Sequence, residues 1–144
     1  PARSKMCDPA FVMHWAENVP KLMSEDGKTK VTVWAGELLG KHALTPTPDS
    51  WASDPNNEVA VWHVTMEAGA RFALPAAVGG AAINRVAYFI EGSSLSVGGK
   101  SIPKRSAVTL EGGVEAILEN TAPAGPISAV VDPKQFLSRG ASKR

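Results

Sequence analysis

The stretch Gly69-Ala-Arg-Phe-Ala-Leu-Pro75 decides the fold, together with Glu91-Gly-Ser-Ser-Leu-Ser-Val-Gly-Gly99, which begins sixteen residues after its end. Gly69 can adopt the positive φ that a tight turn needs, and Phe72 and Leu74 then alternate with shorter or polar neighbours as in a strand with one buried face. The second stretch holds two Gly-containing turn signals around a short apolar run. Closely spaced strands and turns of this kind are typical of a small antiparallel barrel or sandwich.

The turn signals predict three hairpins in the second half of the chain. Residues 88–90 and 95–97 flank Glu91-Gly92, and the Gly98-Gly99 pair reverses the chain again before Ser101. Residues 106–110 and 114–118 flank a further Gly-Gly pair in the same way. Apolar runs separated by two or three such residues usually form paired antiparallel strands.

Alternating residues predict further strands on both sides of this region. Residues 29–35 and 58–66 show the clearest alternation, which places Trp62 on one face of the second strand and His63 on the other. Shorter strands are expected at 11–15 and 127–131, and a helical turn is expected at 135–137. Residues 38–54 contain prolines and little periodicity, so we expect a long irregular loop there, and long loops in compact domains are often functional.

The composition indicates one globular domain without a strong electrostatic field. The 144 residues include 44% hydrophobic residues, 13 Gly and 11 Pro, which favours an all-β architecture with many turns. A net charge of +1 gives no reason to expect direct nucleic-acid binding. No run approaches the roughly 18 apolar residues of a membrane span. The single Cys7 is consistent with a reducing compartment, so an intracellular protein is expected.

The order of these motifs resembles that of cupins. The matching motifs are Gly69-x5-Pro75, Arg85-x-x-Tyr-Phe-Ile-Glu-Gly92, Val97-Gly-Gly99 and Ile102-Pro103. Three upstream stretches are similar to the C-terminal cupin domain of pirin and pirin-like proteins. They are Phe11-Val-Met-His-Trp-Ala-Glu-Asn-Val-Pro20, Val31-Thr-Val-Trp-Ala-Gly36 and Pro48-Asp-Ser-Trp-Ala-Ser-Asp-Pro55.

The resemblance implies an all-β cupin jelly-roll barrel, a double-stranded β-helix, in a single domain. It places this domain at residues 11–131, after a linker-like segment at 1–10 and before a tail at 132–144. In the family, the N-terminal cupin domain carries the iron ligands, three histidines and a glutamate. The resemblance therefore implies that this domain has no cofactor of its own. It also implies a partner, either the N-terminal cupin domain or another protein, with self-association where that partner is missing.

Metal chemistry is the first function to consider, because active cupins hold a divalent metal with histidines and a carboxylate. The residues here that match the family's paired histidines are Pro75 and Ala77, and Asn84 or Arg85 lies near the carboxylate position. No histidine follows His63, so no metal ligand can be assigned. A non-standard site built from the chain's three histidines, with Glu37 or Glu58, is the alternative. Those histidines are His14, His42 and His63.

Arg85 is the other residue of interest, because it enters an apolar strand after a small-residue loop. It either offers a fixed cation to an anionic ligand in the barrel mouth or pairs at the rim with Glu67 or Glu91. No Gly-x-Ser-x-Gly nucleophile motif occurs, and no residue is assigned a catalytic role.

Three functional hypotheses follow. The first is a metal-free structural or protein-interaction domain of a transcription-cofactor type of protein, located in the cytoplasm and/or nucleus. The second is a quercetinase-like cupin dioxygenase with a non-standard site around His63 and Arg85. The third is a small-ligand-binding barrel in which Arg85, Trp62 and Phe72 line a pocket.

Overall fold

The computed structural model describes residues 4–135 and shows two antiparallel sheets packed as a jelly roll. Within this range there are twelve strands, two of which form a short ribbon inside the long loop. The strands are β1 Lys21–Met23, β2 Thr29–Ala35, β3 Glu37–Leu38, β4 Lys41–His42, β5 Val61–Met66, β6 Arg71–Leu74, β7 Ile83–Glu91, β8 Leu95–Val97, β9 Lys100–Ile102, β10 Ala107–Leu110, β11 Ala116–Asn120 and β12 Ile127–Gln135.

One sheet has six strands in the order β1-β2-β5-β12-β7-β10, and the other has four in the order β6-β11-β8-β9. The hydrophobic core lies between them, with Val31, Trp62 and Phe89 from the larger sheet and Leu74 and Leu118 from the smaller one. The all-β jelly roll expected from the sequence is therefore confirmed. Between residues 4 and 135 there is no helix long and apolar enough to cross a membrane.

The strands with the clearest alternation form as predicted. In β2 the side chains of Val31 and Val33 are fully buried, whereas Trp34 points outward and is 46% exposed. In β5 the buried side chains are Trp62, Val64 and Met66, and the residues between them are half-buried on the outer face. An antiparallel sheet with one face on the core and one toward solvent produces this period of two.

Two of the three predicted hairpins are wrong. β7 and β8 belong to different sheets, and so do β10 and β11, so the turns at Glu91-Gly92 and at residues 111–115 carry the chain from one sheet to the other. Of the three predicted hairpins, only the one between β8 and β9 forms, through Gly98 and Gly99 with φ of 56° and 78°. Turn residues mark where a chain reverses, but the strand with which the next segment pairs depends on the packing of the whole barrel.

The ends of the domain also differ from the prediction. Residues 11–15 form no strand, and Phe11 is 80% exposed. The last strand continues past Val131 to Gln135, pairing along β7. Gln135 is therefore in a strand and not in a helical turn, and residues 136 and 137 of that predicted turn lie outside the described residues.

The long loop between β2 and β5 is ordered by short local structures. After the β3–β4 ribbon, two 3-10 turns form at Trp51–Ser53 and Pro55–Asn57, capped by the side chains of Ser50 and Asp54. The buried side chain of Asn57 donates a hydrogen bond to the carbonyl oxygen of Trp51 at 2.8 Å and links the two turns. The loop is thereby held over one end of the barrel.

Candidate functional site

A cavity of about 730 Å³ lies at this end of the barrel, between the long loop and the residues that follow β6. Its wall is mostly apolar. The apolar residues that line it include Leu38, Leu44, Ala60, Trp62, Pro75, Ala76 and Ala77. Small-molecule sites in proteins commonly have volumes of about 300–1,000 Å³. The cavity is therefore large enough for a small organic molecule.

The one Lys or Arg side chain among residues 4–132 that lines this cavity is that of Arg85. It is in phase with the inward-facing residues of β7, and it is only 1% exposed. Its Nη1 donates a hydrogen bond to the carbonyl oxygen of Val114 at 3.2 Å, whereas Nε and Nη2 are buried without a hydrogen-bond partner. Burial lowers the pKa of the guanidinium, but an arginine remains charged at neutral pH.

The alternative position for Arg85, a rim ion pair with Glu67 or Glu91, is not observed. The ion pairs of the described residues do not include Arg85, and Glu91 is an exposed residue at the far end of β7. The positive charge is therefore held inside the barrel without an acidic partner. An unpaired buried charge is costly, which distinguishes Arg85 from a surface arginine.

Trp62 reaches the same cavity from β5. Its side chain is buried, and its indole Nε1 has no hydrogen-bond partner. Buried tryptophan N–H groups usually find an acceptor. Arg85 and Trp62 thus both line one cavity and both carry buried donors without a partner, and they come from two strands that are not adjacent in the sheet.

The other two residues expected at the site lie elsewhere. Phe72 is buried in the core between the sheets and does not line the cavity. His63 is on the outer face of β5, where its ring stacks on Trp34 with a centroid distance of 5.2 Å and an interplanar angle of 6°. Its Nε2 is 2.6 Å from Ser128 Oγ, and burial, followed by the charge of Lys30, lowers the pKa of its imidazole.

The three histidines do not assemble into a site. His14 Nε2 is hydrogen-bonded to the carbonyl oxygen of Thr45, and His42 Nδ1 lies 3.3 Å from a carboxylate oxygen of Glu37. Across residues 4–135 no group of three His, Cys, Asp or Glu side chains is placed to hold a metal ion. The hypothesis of a metal site that combines His14, His42 and His63 is therefore not supported.

The residues at the cupin metal positions do not fit the divalent metal of active cupins. Pro75 and Ala77, which match the family's histidine positions, line the cavity and have no ligating side chains. The buried polar group that lines the cavity with them is the Arg85 guanidinium, and a second cation close to it would be repelled. The guanidinium itself suits an anion.

Three acidic residues also line the cavity. These are Glu37, Asp54 and Glu58, all from the long loop or its end. The sequence analysis named Glu37 and Glu58 as candidate carboxylates beside the histidines, but it did not single out Asp54. The Oδ1 of Asp54 accepts hydrogen bonds from the backbone and side-chain nitrogens of Asn56, and Glu37 is close to His42. The irregular pattern of residues 38–54 indicated a long loop without showing which of its side chains face the barrel.

Solved structures with similar folds are cupin-family proteins. Quercetin 2,3-dioxygenase from Acinetobacter baumannii matches over 94% of this chain with 18% identity and a TM-score of 0.74. A protein from Geobacillus kaustophilus matches over 94% with 18% identity and a TM-score of 0.68. An RmlC-like cupin from Shewanella frigidimarina matches over 90% of this chain and 95% of its own, with 12% identity and a TM-score of 0.51.

These similarities establish the cupin fold. The chain spans 42% of the length of the dioxygenase and 51% of the Geobacillus protein. No protein-family model matches the chain, and no curated protein is significantly similar to it in sequence.

Proposed function

We propose that this chain is a metal-free cupin domain that binds another molecule and does not catalyse a reaction. The observation that carries this proposal is Arg85, whose guanidinium is buried beside the barrel cavity without an acidic partner. A divalent metal would find no ligating side chain at Pro75 and Ala77, which match the family's histidine positions, and would be repelled by the guanidinium. An anion, in contrast, would be attracted by the Arg85 guanidinium.

The proposal includes the resemblance to the C-terminal domain of pirin-like proteins. Its support is the sequence resemblance, together with the absence of ligating side chains at Pro75 and Ala77, which line the cavity. In a two-domain protein of this type, the iron would be held by the N-terminal cupin domain. A transcription-cofactor type of role, in the cytoplasm and/or nucleus, belongs to the same proposal.

Elemental analysis tests the proposal directly. The protein is purified without chelators, and its transition-metal content and its turnover of a flavonol such as quercetin are measured beside variants His14→Ala, His42→Ala and His63→Ala. We expect metal far below one atom per chain and no turnover. Near-stoichiometric metal that one of the three substitutions removes would contradict the proposal and support a quercetinase-like dioxygenase with a non-standard site.

A second candidate role is protein binding through the outer face of the six-stranded sheet. Large apolar side chains are exposed there, with Trp34 46%, Tyr88 40% and Ile90 51% accessible, and Val130 lies between His63 and Tyr88 in the strand register. Exposed apolar patches of this kind are common at protein interfaces. We propose a second cupin domain as the occupant, because the chain spans only about half of the two longer cupin-fold proteins compared above.

Sedimentation velocity tests this role, since another copy of the chain can take the place of the second domain in the isolated protein. We expect a concentration-dependent dimer that the double variant Tyr88→Ser/Ile90→Ser weakens. Val114→Ser removes a side chain with similar exposure outside this face and serves as the control. A wild-type protein that stays monomeric at high concentration, or a double variant that dimerises as well as the wild type, would count against this role.

A further inference from the structure

We propose that the cavity beside Arg85 binds a small organic monocarboxylate with an apolar body. This inference rests on the proposed metal-free binding function and names the class of ligand. It is carried by the hydrogen-bonding state of Arg85, by the charges around the cavity and by the nature of its wall.

The two unsatisfied nitrogens of Arg85 identify the functional group. Nε and Nη2 lie on the same edge of the planar guanidinium, and both are buried without a partner, whereas Nη1 on the other edge donates to Val114. A carboxylate accepts two parallel hydrogen bonds from this edge, and such bidentate pairs are among the strongest in proteins. Both nitrogens have less than 1 Å² of accessible area, so a movement of the guanidinium that turns this edge toward the cavity would let one carboxylate satisfy both donors and neutralise the charge.

The charges around the cavity favour a ligand with a single negative charge. Among residues 4–132, Arg85 is the one Lys or Arg that lines the cavity, whereas Glu37 and Glu58 line it as well. A phosphate or a dicarboxylate would place its second charge near these two carboxylates and be repelled by them. The site therefore selects against polyanions.

The wall of the cavity favours an apolar body on the ligand. Leu38, Leu44, Trp62, Pro75 and Ala76 present carbon atoms to the cavity. Transfer of an apolar group from water to such a wall is favourable by about 25 cal/mol for each Å² that is buried. Trp62 Nε1 is a further unpartnered donor among these residues, and it can donate to an oxygen of the ligand.

Calorimetric titration tests the inference with three monocarboxylates, namely benzoate, phenylacetate and hexanoate. Benzamide, which has the shape of benzoate without its charge, and inorganic phosphate are the negative probes. We expect at least one monocarboxylate to bind and neither negative probe to do so. Arg85→Met is expected to weaken binding about 10- to 100-fold, because charge-assisted hydrogen bonds are lost.

Two controls separate loss of the site from loss of the fold. Arg71→Met removes an exposed arginine whose Nε is 3.1 Å from Glu119. The affinity of this variant for the monocarboxylate should equal that of the wild type. The indole N–H resonance of Trp62, assigned by its loss in Trp62→Phe, should shift in the wild type when the carboxylate is added. Arg85→Lys keeps the charge but not the planar edge, so its affinity should lie between those of wild type and Arg85→Met.

The outcomes distinguish this inference from the function on which it rests. Equal binding of benzoate and benzamide, tight binding of phosphate, or undiminished binding to a folded Arg85→Met would overturn the carboxylate assignment. A metal-free protein that binds none of the three carboxylates would overturn the assignment alone. Stoichiometric metal bound through a histidine would overturn the proposed function itself.

Discussion

Arg85 places a positive charge among inward-facing side chains that are otherwise apolar along β7, such as Ile83, Ala87 and Phe89. Only one of its three nitrogens has a hydrogen-bond acceptor. Burial of unsatisfied polar groups lowers the stability of the unliganded protein. Side chains of this kind are retained where function requires them, at the expense of stability.

At the scale of single residues, we predict that Arg85→Met stabilises the unliganded protein. Methionine fills a similar volume without a charge, so the free energy of unfolding should rise by about 1 kcal/mol or more despite the lost bond to Val114. Urea denaturation monitored by circular dichroism measures this change. Arg71→Met, which breaks an exposed ion pair with Glu119, should change stability by less than about 0.5 kcal/mol. Destabilisation by Arg85→Met would mean that the guanidinium is already satisfied.

His63 gives a prediction about pH. Burial and then the charge of Lys30 lower the pKa of folded His63 below its ordinary value of 6.5, so the unfolded chain binds this proton more tightly. Stability is therefore greatest above pH 6.5 and falls as the pH decreases through that value toward the pKa of the folded state. The free energy of unfolding, measured by urea denaturation at several pH values between 5 and 8, should change less with pH in His63→Gln than in the wild type. His14→Gln, which removes a half-buried histidine, is the control. An unchanged pH dependence of the free energy of unfolding in His63→Gln would contradict the assignment.

At the scale of strands, Gly92 is the point where the chain leaves the six-stranded sheet for the four-stranded one. Its φ is +118°, and a Cβ atom there would lie 2.5 Å from Ile127 Cγ2 and 2.9 Å from Ile127 Cα. The close approach of β12 leaves no space for any side chain at this position. A glycine is therefore required by both backbone conformation and packing.

We predict that Gly92→Ala destabilises the protein by about 3 kcal/mol, because the strained φ and the clash with Ile127 add. Gly99→Ala is the matched control. Gly99 also has a positive φ, +78°, but open space surrounds its Cβ position, so the cost should be about 1 kcal/mol. Thermal unfolding of both variants measures the difference. Equal costs would mean that Ile127 moves aside.

The sequence predicted individual strands better than their pairing. Alternation placed Trp62 and His63 on opposite faces of β5 correctly, because each strand has one face on the core, but it did not show that the face of His63 is the outer one. It could not show that residues flanking Gly92 belong to different sheets, since the reversal signal is the same in a hairpin and in a crossing between sheets. Phe72 was likewise correctly predicted to face inward, but its distance from the cavity depends on the barrel as a whole.

At the scale of the whole molecule, the site is assembled from segments that are distant in sequence. Arg85 was predicted as a ligand-binding residue from its apolar neighbours, and it lies with Trp62 at the cavity. The acidic residues of the long loop could not be placed from the sequence, because a loop without periodicity does not reveal which side chains face inward. The positions of these acidic side chains became known only from the folded structure.

The shared core leads to a prediction about unfolding. Side chains from both sheets form one hydrophobic cluster, so the sheets should lose their structure together. We expect one cooperative thermal transition, in which circular dichroism and tryptophan fluorescence coincide and the calorimetric and van't Hoff enthalpies agree. Two separate transitions would instead indicate that the sheets, or segments outside residues 4–135, unfold independently.

The position of β12 has a consequence for synthesis on the ribosome. This strand, near the end of the described residues, lies between β5 and β7 in the middle of the larger sheet. Until it emerges, β5 and β7 each present an unpaired edge, and such edges promote association with other chains. Nascent chains that stall before residue 127 would therefore be substrates for chaperones, although most of the core residues have already been made.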